Sequence, residues 1–595
     1  MSNRQNPDRR GIVNMPVKVK RARAGGRRSY VSPGPRAGME NPTVDEFGSR
    51  RSTVHAPNGA VATSQPLAAQ AGLRTLRDGG NAFDAAVATA AALNVVEPTS
   101  TGLGGDVFML YRDADGEVGA MQACGPAPAG ATRGRVRAAV ADDRGVDPAE
   151  ATMPEVGPHA VTVPGTARGW EATVREFGRR SLADVLEPAI GYATEGYPAS
   201  AVVADAWTQA ETLFDDDHAR EAYLVDGERA PDPGETVRLE KLGESLRAIA
   251  AEGADVVYEG HIAAAIAEEV QAAGGFLTVE DLADFEVEFP DPISTTYGDA
   301  TVYELPPNNQ GLVALEALNV AEAVGARDHE PGSAARVHSL AEAMKRAFHD
   351  GHRHITDPEF EEVPPLGSTE WAEKRAAGIG PEASDVSFGV PGTNAEDSAG
   401  RGPADPRDPN VPEDADTVLL CVADDEGNVV SYINSRFAGF GSGLVAGDTG
   451  IALQNRGASF SLTDDHPNRL EPGKRPFHTL IPGVLERGPD DWSAFGVMGG
   501  YMQPQGHLQT LVGVLDDDLS PQAALDRPRW RYREDGRLAV EARTPASVQN
   551  GLRRRGHDLE VLLPGMFGGA QMVRSRDERV SGATEPRKDG TVAAW

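Results

Sequence analysis

Asp416-Thr417-Val418-Leu419-Leu420-Cys421-Val422-Ala423-Asp424 is followed by Asp425-Glu426-Gly427-Asn428-Val429-Val430-Ser431-Tyr432-Ile433-Asn434-Ser435. The pair reads as a β-hairpin with a threonine at the head of its first strand. The apolar run 418–423 is short, partly β-branched, and ends in the turn cluster Asp424–Asn428, as a buried strand does. A threonine at a strand start is by itself an ordinary strand residue. Its surroundings sharpen the reading. Residues 388–415 are rich in Pro, Gly, Asp and Asn and poor in apolar side chains, so a flexible leader is expected there. A loose leader feeding a buried strand suits a chain that cuts itself. A cut between Asp416 and Thr417 would free an α-amine beside the threonine hydroxyl. With a reference pKa of about 8, that amine serves as the hydroxyl's base at neutral pH.

The chain has 595 residues, enough for a substantial core. Its formal net charge is −33 and its pI about 4.8. Such a field repels nucleic acid and anionic membranes, and neither is expected as a partner. The acid is spread along the chain, as on a solvated acidic surface. There are seven Lys among 57 basic residues, and this Lys-poor, acidic usage suggests a halophile's cytosol. Two cysteines, Cys124 and Cys421, allow neither a disulfide framework nor a Cys-based zinc site. No run of eighteen apolar residues predicts a membrane span.

Residues 1–38 differ, with ten Lys/Arg against the single acid Asp8. The remainder holds 47 basic and 89 acidic residues, a net charge of −42. No apolar stretch follows Arg9-Arg10, so a secretion signal is not indicated and a cytoplasmic location is expected. The segment to residue 45 is read as a disordered basic arm or as an over-extended start, with Met39 as the first residue.

Helical spacing marks 66–79, 81–93, 169–177, 182–195, 235–252, 261–273, 279–285, 312–324, 333–350, 505–517 and 547–555. Strands are expected at 107–111, 299–305, 417–424, 428–434, 450–454, 480–486, 493–497 and 538–542. The glycines of Ser100-Thr101-Gly102-Leu103-Gly104-Gly105-Asp106 precede a strand, not a helix, so they predict a tight turn with close backbone approach and not a phosphate loop. His349-Asp350-Gly351-His352-Arg353-His354 is read as a surface helix end interrupted at Asp350-Gly351, lacking the ligand set of a metal site. Gly441-Ser442-Gly443 lacks the setting of a serine nucleophile elbow.

Over residues 50–595 the chain resembles the γ-glutamyltransferase family of N-terminal-nucleophile (Ntn) hydrolases. The matching stretches include Gly79–Val87, Gly102–Phe108, Val161–Gly165, Leu305–Gly311, Lys474–His478 and Gly582–Arg587. The resemblance implies an α+β fold, a four-layer αββα sandwich built by both pieces of a self-cleaved precursor. The large piece would be 46–416 and the small piece 417–595. It implies Thr417 as nucleophile, Ser435 as a second hydroxyl that orients it, and Gly499 and Gly500 as the oxyanion loop, since glycine backbone can approach a developing charge closely. Asn455 falls in the stretch lining the family's pocket. The resemblance further implies a small-molecule amide substrate, water or an amine as acceptor, no cofactor or metal, and a dimer of heterodimers as one assembly.

The departures concern glutamate recognition. Cys124 stands where the family keeps an Arg for the substrate α-carboxylate. Ser459 replaces the acid that holds the α-amine, His478 and Thr479 replace two serines, and Phe437 replaces a pocket asparagine. Arg456 is a new cation, read either as structural or as a fork for a substrate carboxylate. The sequence around it resembles the branch that includes oxamate amidohydrolase. The leading reading is a self-processing N-terminal-threonine amidohydrolase or acyltransferase. The alternatives are a small-carboxylate amide hydrolase of the oxamate amidohydrolase type, a true γ-glutamyltransferase that reads glutamate otherwise, and an uncleaved, non-catalytic binding protein.

Overall fold

A computed structural model describes residues 51–386 and 417–595. The basic segment 1–45, the leader 388–415 and Asp416 lie outside the described residues. The hairpin forms as Val418–Ala423 and Val429–Ser435, with Asn434 opposite Val418 and Val429 opposite Ala423. Asp424 builds the turn: its carboxylate accepts from the N–H groups of Glu426 and Asn428 and from the Asn428 amide.

The hairpin is the centre of a six-stranded antiparallel sheet. Its order is Thr591–Ala594, Ala60–Thr63, Val418–Ala423, Val429–Ser435, Asp106–Arg112 and Val118–Ala123. A seven-stranded antiparallel sheet packs on it, ordered Val54–Ala56, Arg579–Thr584, Gly569–Arg576, Asp491–Met498, Gly483–Glu486, Ala300–Glu304 and Ile293–Tyr297. The fold is therefore mixed α+β with two large antiparallel sheets.

Period-two alternation assigns the faces. Leu419 and Cys421 enter the core between the sheets with Phe108, Ile433, Val484, Ala494 and Val573. Val418, Leu420 and Val422 point the other way, into a core shared with helices Ala82–Val96, Thr166–Phe177 and Leu182–Glu195. Every residue of Ala82–Val96 is buried, because its small side chains let neighbours approach on all sides. On the outer side of the other sheet, Val302, Leu485, Phe495 and Met572 pack with helices Gly311–Ala323, Ala334–His354 and Met502–Leu515.

Two local expectations are corrected. Residues 450–454 form isolated bridges, Leu453 with Gly104 and Ala452 with Val445, and no strand. The helix expected to break at Asp350-Gly351 runs unbroken to His354. Gly351 is needed there because a Cβ would come within 2.4 Å of Val313. Asp350 is buried, not at the surface, and accepts hydrogen bonds from Trp371 and Arg375.

Candidate active site

Thr417 is buried at the head of its strand, and its hydroxyl donates to Ser435 Oγ at 3.2 Å. Register makes this contact. The two strands are antiparallel neighbours, and residues 417 and 435 share the inter-sheet face with Leu419 and Ile433. Ser435 Oγ also accepts from the Phe437 N–H at 2.9 Å, which fixes its lone pairs.

The glycine pair stands at the end of Asp491–Met498. Ser431, paired with Cys421, donates to Phe495 O, and one step on a Cβ at Gly496 would lie 2.9 Å from Leu419. Contacts running in this sense carry Gly499 and Gly500 toward the Thr417 end of the sandwich. Both glycines have positive φ, 112° and 52°, a region costly for side-chain-bearing residues. Gly499 is also close-packed, with its Cβ position 3.1 Å from Gly568 Cα.

A second cluster surrounds Arg456, in the short 3₁₀ turn Arg456–Ser459. Its guanidinium is fully buried and lies over the Phe437 ring at 4.4 Å. Nη1 donates to Thr479 Oγ1 at 2.8 Å, while Nε and Nη2 have no hydrogen-bond partner. The nearest carboxylate, Asp106, is 4.0 Å from Nε. Burial pulls Arg456 down to about 10, against the raising influence of Asp106. Burial likewise pushes Asp106 up to about 7, and Arg456 and the Gln454 amide only partly offset that.

His478 is a further hydrogen-bond partner of Asp106. Its Nδ1 accepts from the Leu480 N–H, so the proton sits on Nε2 and is donated to Asp106 at 3.0 Å. Burial holds the imidazole far below its ordinary range, so it stays neutral. Gln454 donates to Asp106 at 3.0 Å from the opposite chain segment.

The remaining expected residues divide. Cys124 is buried beside Gln122 and Asn308, and burial pushes its thiol up, with no sign of a reactive thiolate. Asn455 is committed to backbone: it accepts from the Ala438 N–H at 3.1 Å and donates to Glu155 O at 2.8 Å. Ser459 is buried with its hydroxyl unpartnered. Thus the structure joins Thr417 to Ser435, and Arg456 to Thr479, Phe437 and the His478–Asp106 pair. Asp106 escaped the sequence reading as a site residue. An acid opening an apolar strand after Gly104-Gly105 is the signal that marks it.

Among the described residues, one trio could hold a metal: His338, Glu342 and His557, with ligand atoms within 4.8 Å. Its capacity is already used. The histidines bond each other at 2.8 Å, and Glu342 pairs with Lys345 at 2.8 Å and Arg346 at 3.0 Å.

Residues 68–595 match the family profile described as Gamma-glutamyltranspeptidase. The chain is similar to the glutathione hydrolase-like YwrD proenzyme of Bacillus subtilis, 37% identical over 545 residues, covering 89% of this chain and 97% of that relative. It is similar to the oxamate amidohydrolase proenzyme of Klebsiella pneumoniae, 35% identical over 555 residues, covering 90% and 98%. Among solved structures, a cephalosporin acylase from Bacillus halodurans matches with a TM-score of 0.81 at 41% identity, covering 94% of this chain and 99% of that one.

Proposed function

Because this chain belongs to the γ-glutamyltranspeptidase family, we propose that it is a proenzyme that cuts itself before Thr417 and then works as an N-terminal-threonine amidohydrolase or acyltransferase. On this reading the two sheets and their flanking helices are the four-layer αββα sandwich, shared by a 46–416 piece and a 417–595 piece that stay together. The observation that carries it is the buried Thr417–Ser435 hydroxyl pair at 3.2 Å.

The chemistry follows from those groups. In the precursor, Thr417 Oγ1 attacks the carbonyl carbon of residue 416. The C–N bond breaks, nitrogen takes the hydroxyl proton, and an ester links residue 416 to Oγ1. Water hydrolyses the ester, leaving a carboxylate on Asp416 and a free amine on Thr417. In the mature enzyme that amine accepts the Oγ1 proton as Oγ1 attacks a substrate amide. The proton passes to the leaving amine, and water or an amine then resolves the acyl-enzyme. Backbone N–H groups at Gly499–Gly500 meet the negative charge on the substrate oxygen.

The acyl group carries a carboxylate, in our reading, but is not held as glutamate. Arg456 offers two nitrogens of a buried guanidinium, Nε and Nη2, that have no hydrogen-bond partner, whereas Cys124 and Ser459 supply neither cation nor anion for a glutamate head. A short half-amide of a dicarboxylic acid fits that set, in line with the relative named an oxamate amidohydrolase.

Intact mass of the wild type and of Thr417→Ala tests the first part. Two fragments in the wild type, one starting at Thr417, and a single chain in the variant are expected. A single chain in both would refute the proenzyme reading and favour an uncleaved binding protein. Faster turnover of a γ-glutamyl anilide than of any short half-amide would refute the substrate reading.

A further inference from the structure

The mechanism so far leaves unused a buried amide that joins two of its parts. Gln310 sits at the start of helix Gly311–Ala323 and is fully buried. Its Nε2 donates to Thr479 O at 2.7 Å and to Gly500 O at 3.0 Å. Thr479 holds Arg456, and Gly500 belongs to the proposed oxyanion loop. Nothing about Pro306-Pro307-Asn308-Asn309-Gln310-Gly311 in sequence announces this, because both acceptors lie more than 160 residues away.

Gln310 itself is held from several sides. Its N–H donates to His478 O at 3.0 Å, and the His478 N–H donates to Asn308 O at 2.9 Å. The Asn308 amide donates to Pro476 O at 2.6 Å. The loop therefore travels with the 476–479 segment, and the Gln310 amide reaches out from it to Gly500.

We propose that Gln310 is a positioning residue that sets the spacing between the Arg456 carboxylate site and the oxyanion loop. This rests on the reading of Thr417 as nucleophile and Gly499–Gly500 as its oxyanion loop. Both acceptors are carbonyls, so one neutral group must present two N–H bonds at once, and a side-chain amide does so. Two adjacent glycines have wide conformational freedom that must be removed to aim an N–H. The peptide before Gly500 is anchored by the Met502 N–H on Gly499 O at 2.8 Å. The peptide after it is anchored by two donors, the Gln503 N–H at 3.2 Å and the Gln310 amide at 3.0 Å, and only the second comes from outside this segment. Since a peptide unit is planar, the anchor on Gly499 O orients the Gly500 N–H, and the anchor on Gly500 O holds the ψ of Gly500, about which that donor could otherwise turn.

The test uses the full-length chain carrying Gln310→Met, Gln310→Ala or Gln310→Glu. Each is assayed for self-cleavage by intact mass, then for kcat and KM on a carboxylate-bearing half-amide and on a neutral amide of equal length. Gln310→Met keeps the length without donors. It should retain its thermal midpoint within about 5 °C while kcat falls about tenfold on both substrates, with an added rise in KM on the carboxylate-bearing one. Gln310→Glu places a carboxylate against two carbonyls and should lose more at pH 8. It should recover toward wild type as pH falls toward 5, because a protonated Glu regains one donor. Asp106, His478 and Arg456 are common to both proteins, so the variant-to-wild-type ratio isolates residue 310. Wild-type kinetics in Gln310→Met, or a flat ratio across pH for Gln310→Glu, would overturn the proposal. A wild type that never cleaves at Thr417 would overturn the nucleophile reading and this proposal with it.

Discussion

Two buried arginines in this chain face opposite circumstances. Arg587 spends all five N–H groups. Nε and Nη2 bond Glu541, Nη1 bonds Glu585 at 2.5 Å and Leu525 O at 3.0 Å, and Nη2 also bonds Arg527 O at 2.6 Å. The Arg456 side chain is as deeply buried as that of Arg587 and makes one hydrogen bond, to Thr479. Desolvating a guanidinium costs several kcal/mol in either place. At Arg587 the protein returns that cost internally. At Arg456 two nitrogens are left without a hydrogen-bond partner, and the proposed function assigns them to a ligand carboxylate.

The comparison breaks most visibly at Arg587. Arg587→Ala leaves Glu541 and Glu585 buried with fewer cations, and should destabilise the fold by about 3 kcal/mol or more. Chemical denaturation measures this, and a loss under about 1 kcal/mol would remove the contrast. Arg456→Ala should behave in the opposite way. Asp106 then stays protonated, so no bare charge is left, and the thermal midpoint at pH 6 should change little. KM for a carboxylate-bearing amide should instead rise about a hundredfold, with a neutral amide nearly unaffected. Arg456→Lys should not restore it, because an ammonium cannot present the planar fork. Equal losses on both substrates would assign Arg456 a structural role.

The next effect is one of pH. Burial raises Asp106 to about 7, so near neutrality it is partly neutral. Its neutral form favours folding below its unfolded pKa, and that contribution is lost as pH rises from about 4 through about 7. For binding, the deprotonated Asp106 competes with a ligand carboxylate for Arg456. Affinity for a small carboxylate inhibitor should therefore fall about tenfold between pH 6 and pH 8. His478 does not produce this change, being neutral throughout that range. Asp106→Asn should flatten the profile; an unchanged slope in that variant would exclude Asp106 as its origin.

What could be read from sequence follows from the range of the forces involved. The hairpin is local: its apolar run, turn cluster and alternation lie within twenty residues, and its strands formed within a residue of expectation. The Thr417–Ser435 contact is a consequence of that register. The expected departures at Cys124, Ser459, His478 and Thr479 each rest on one residue type at a motif position, and they enter the proposed function as such. The Arg456 cluster was only half legible. Arg456 and Phe437 could be named, but the approach of Asp106 and the reach of Gln310 join segments more than a hundred residues apart. The helix at 334–354 misled for a similar reason: Asp350 and Gly351 are poor helix residues whose cost is met by Arg375, Trp371 and close packing on Val313.

Phe437 gives the finest test, because it combines strain with a contact. It is a bulky residue at φ 86°, a conformation that costs about 1–3 kcal/mol and persists where its surroundings enforce it. Two features do so: its N–H donates to Ser435 Oγ, and its ring lies under Arg456. The first ties the Arg456 site to Ser435, the hydrogen-bond partner of Thr417. Phe437→Gly separates the two contributions. Glycine accepts the backbone without strain, so stability should hold or improve slightly and the N–H bond to Ser435 should remain. Losing the ring should let the guanidinium move, raising KM for a carboxylate-bearing amide about threefold, within the scale of a desolvated cation–π contact. Phe437→Leu keeps the strain, loses the quadrupole and should show the same rise in KM. If both variants bind as the wild type does, the ring only fills space, and Thr479 alone steers Arg456.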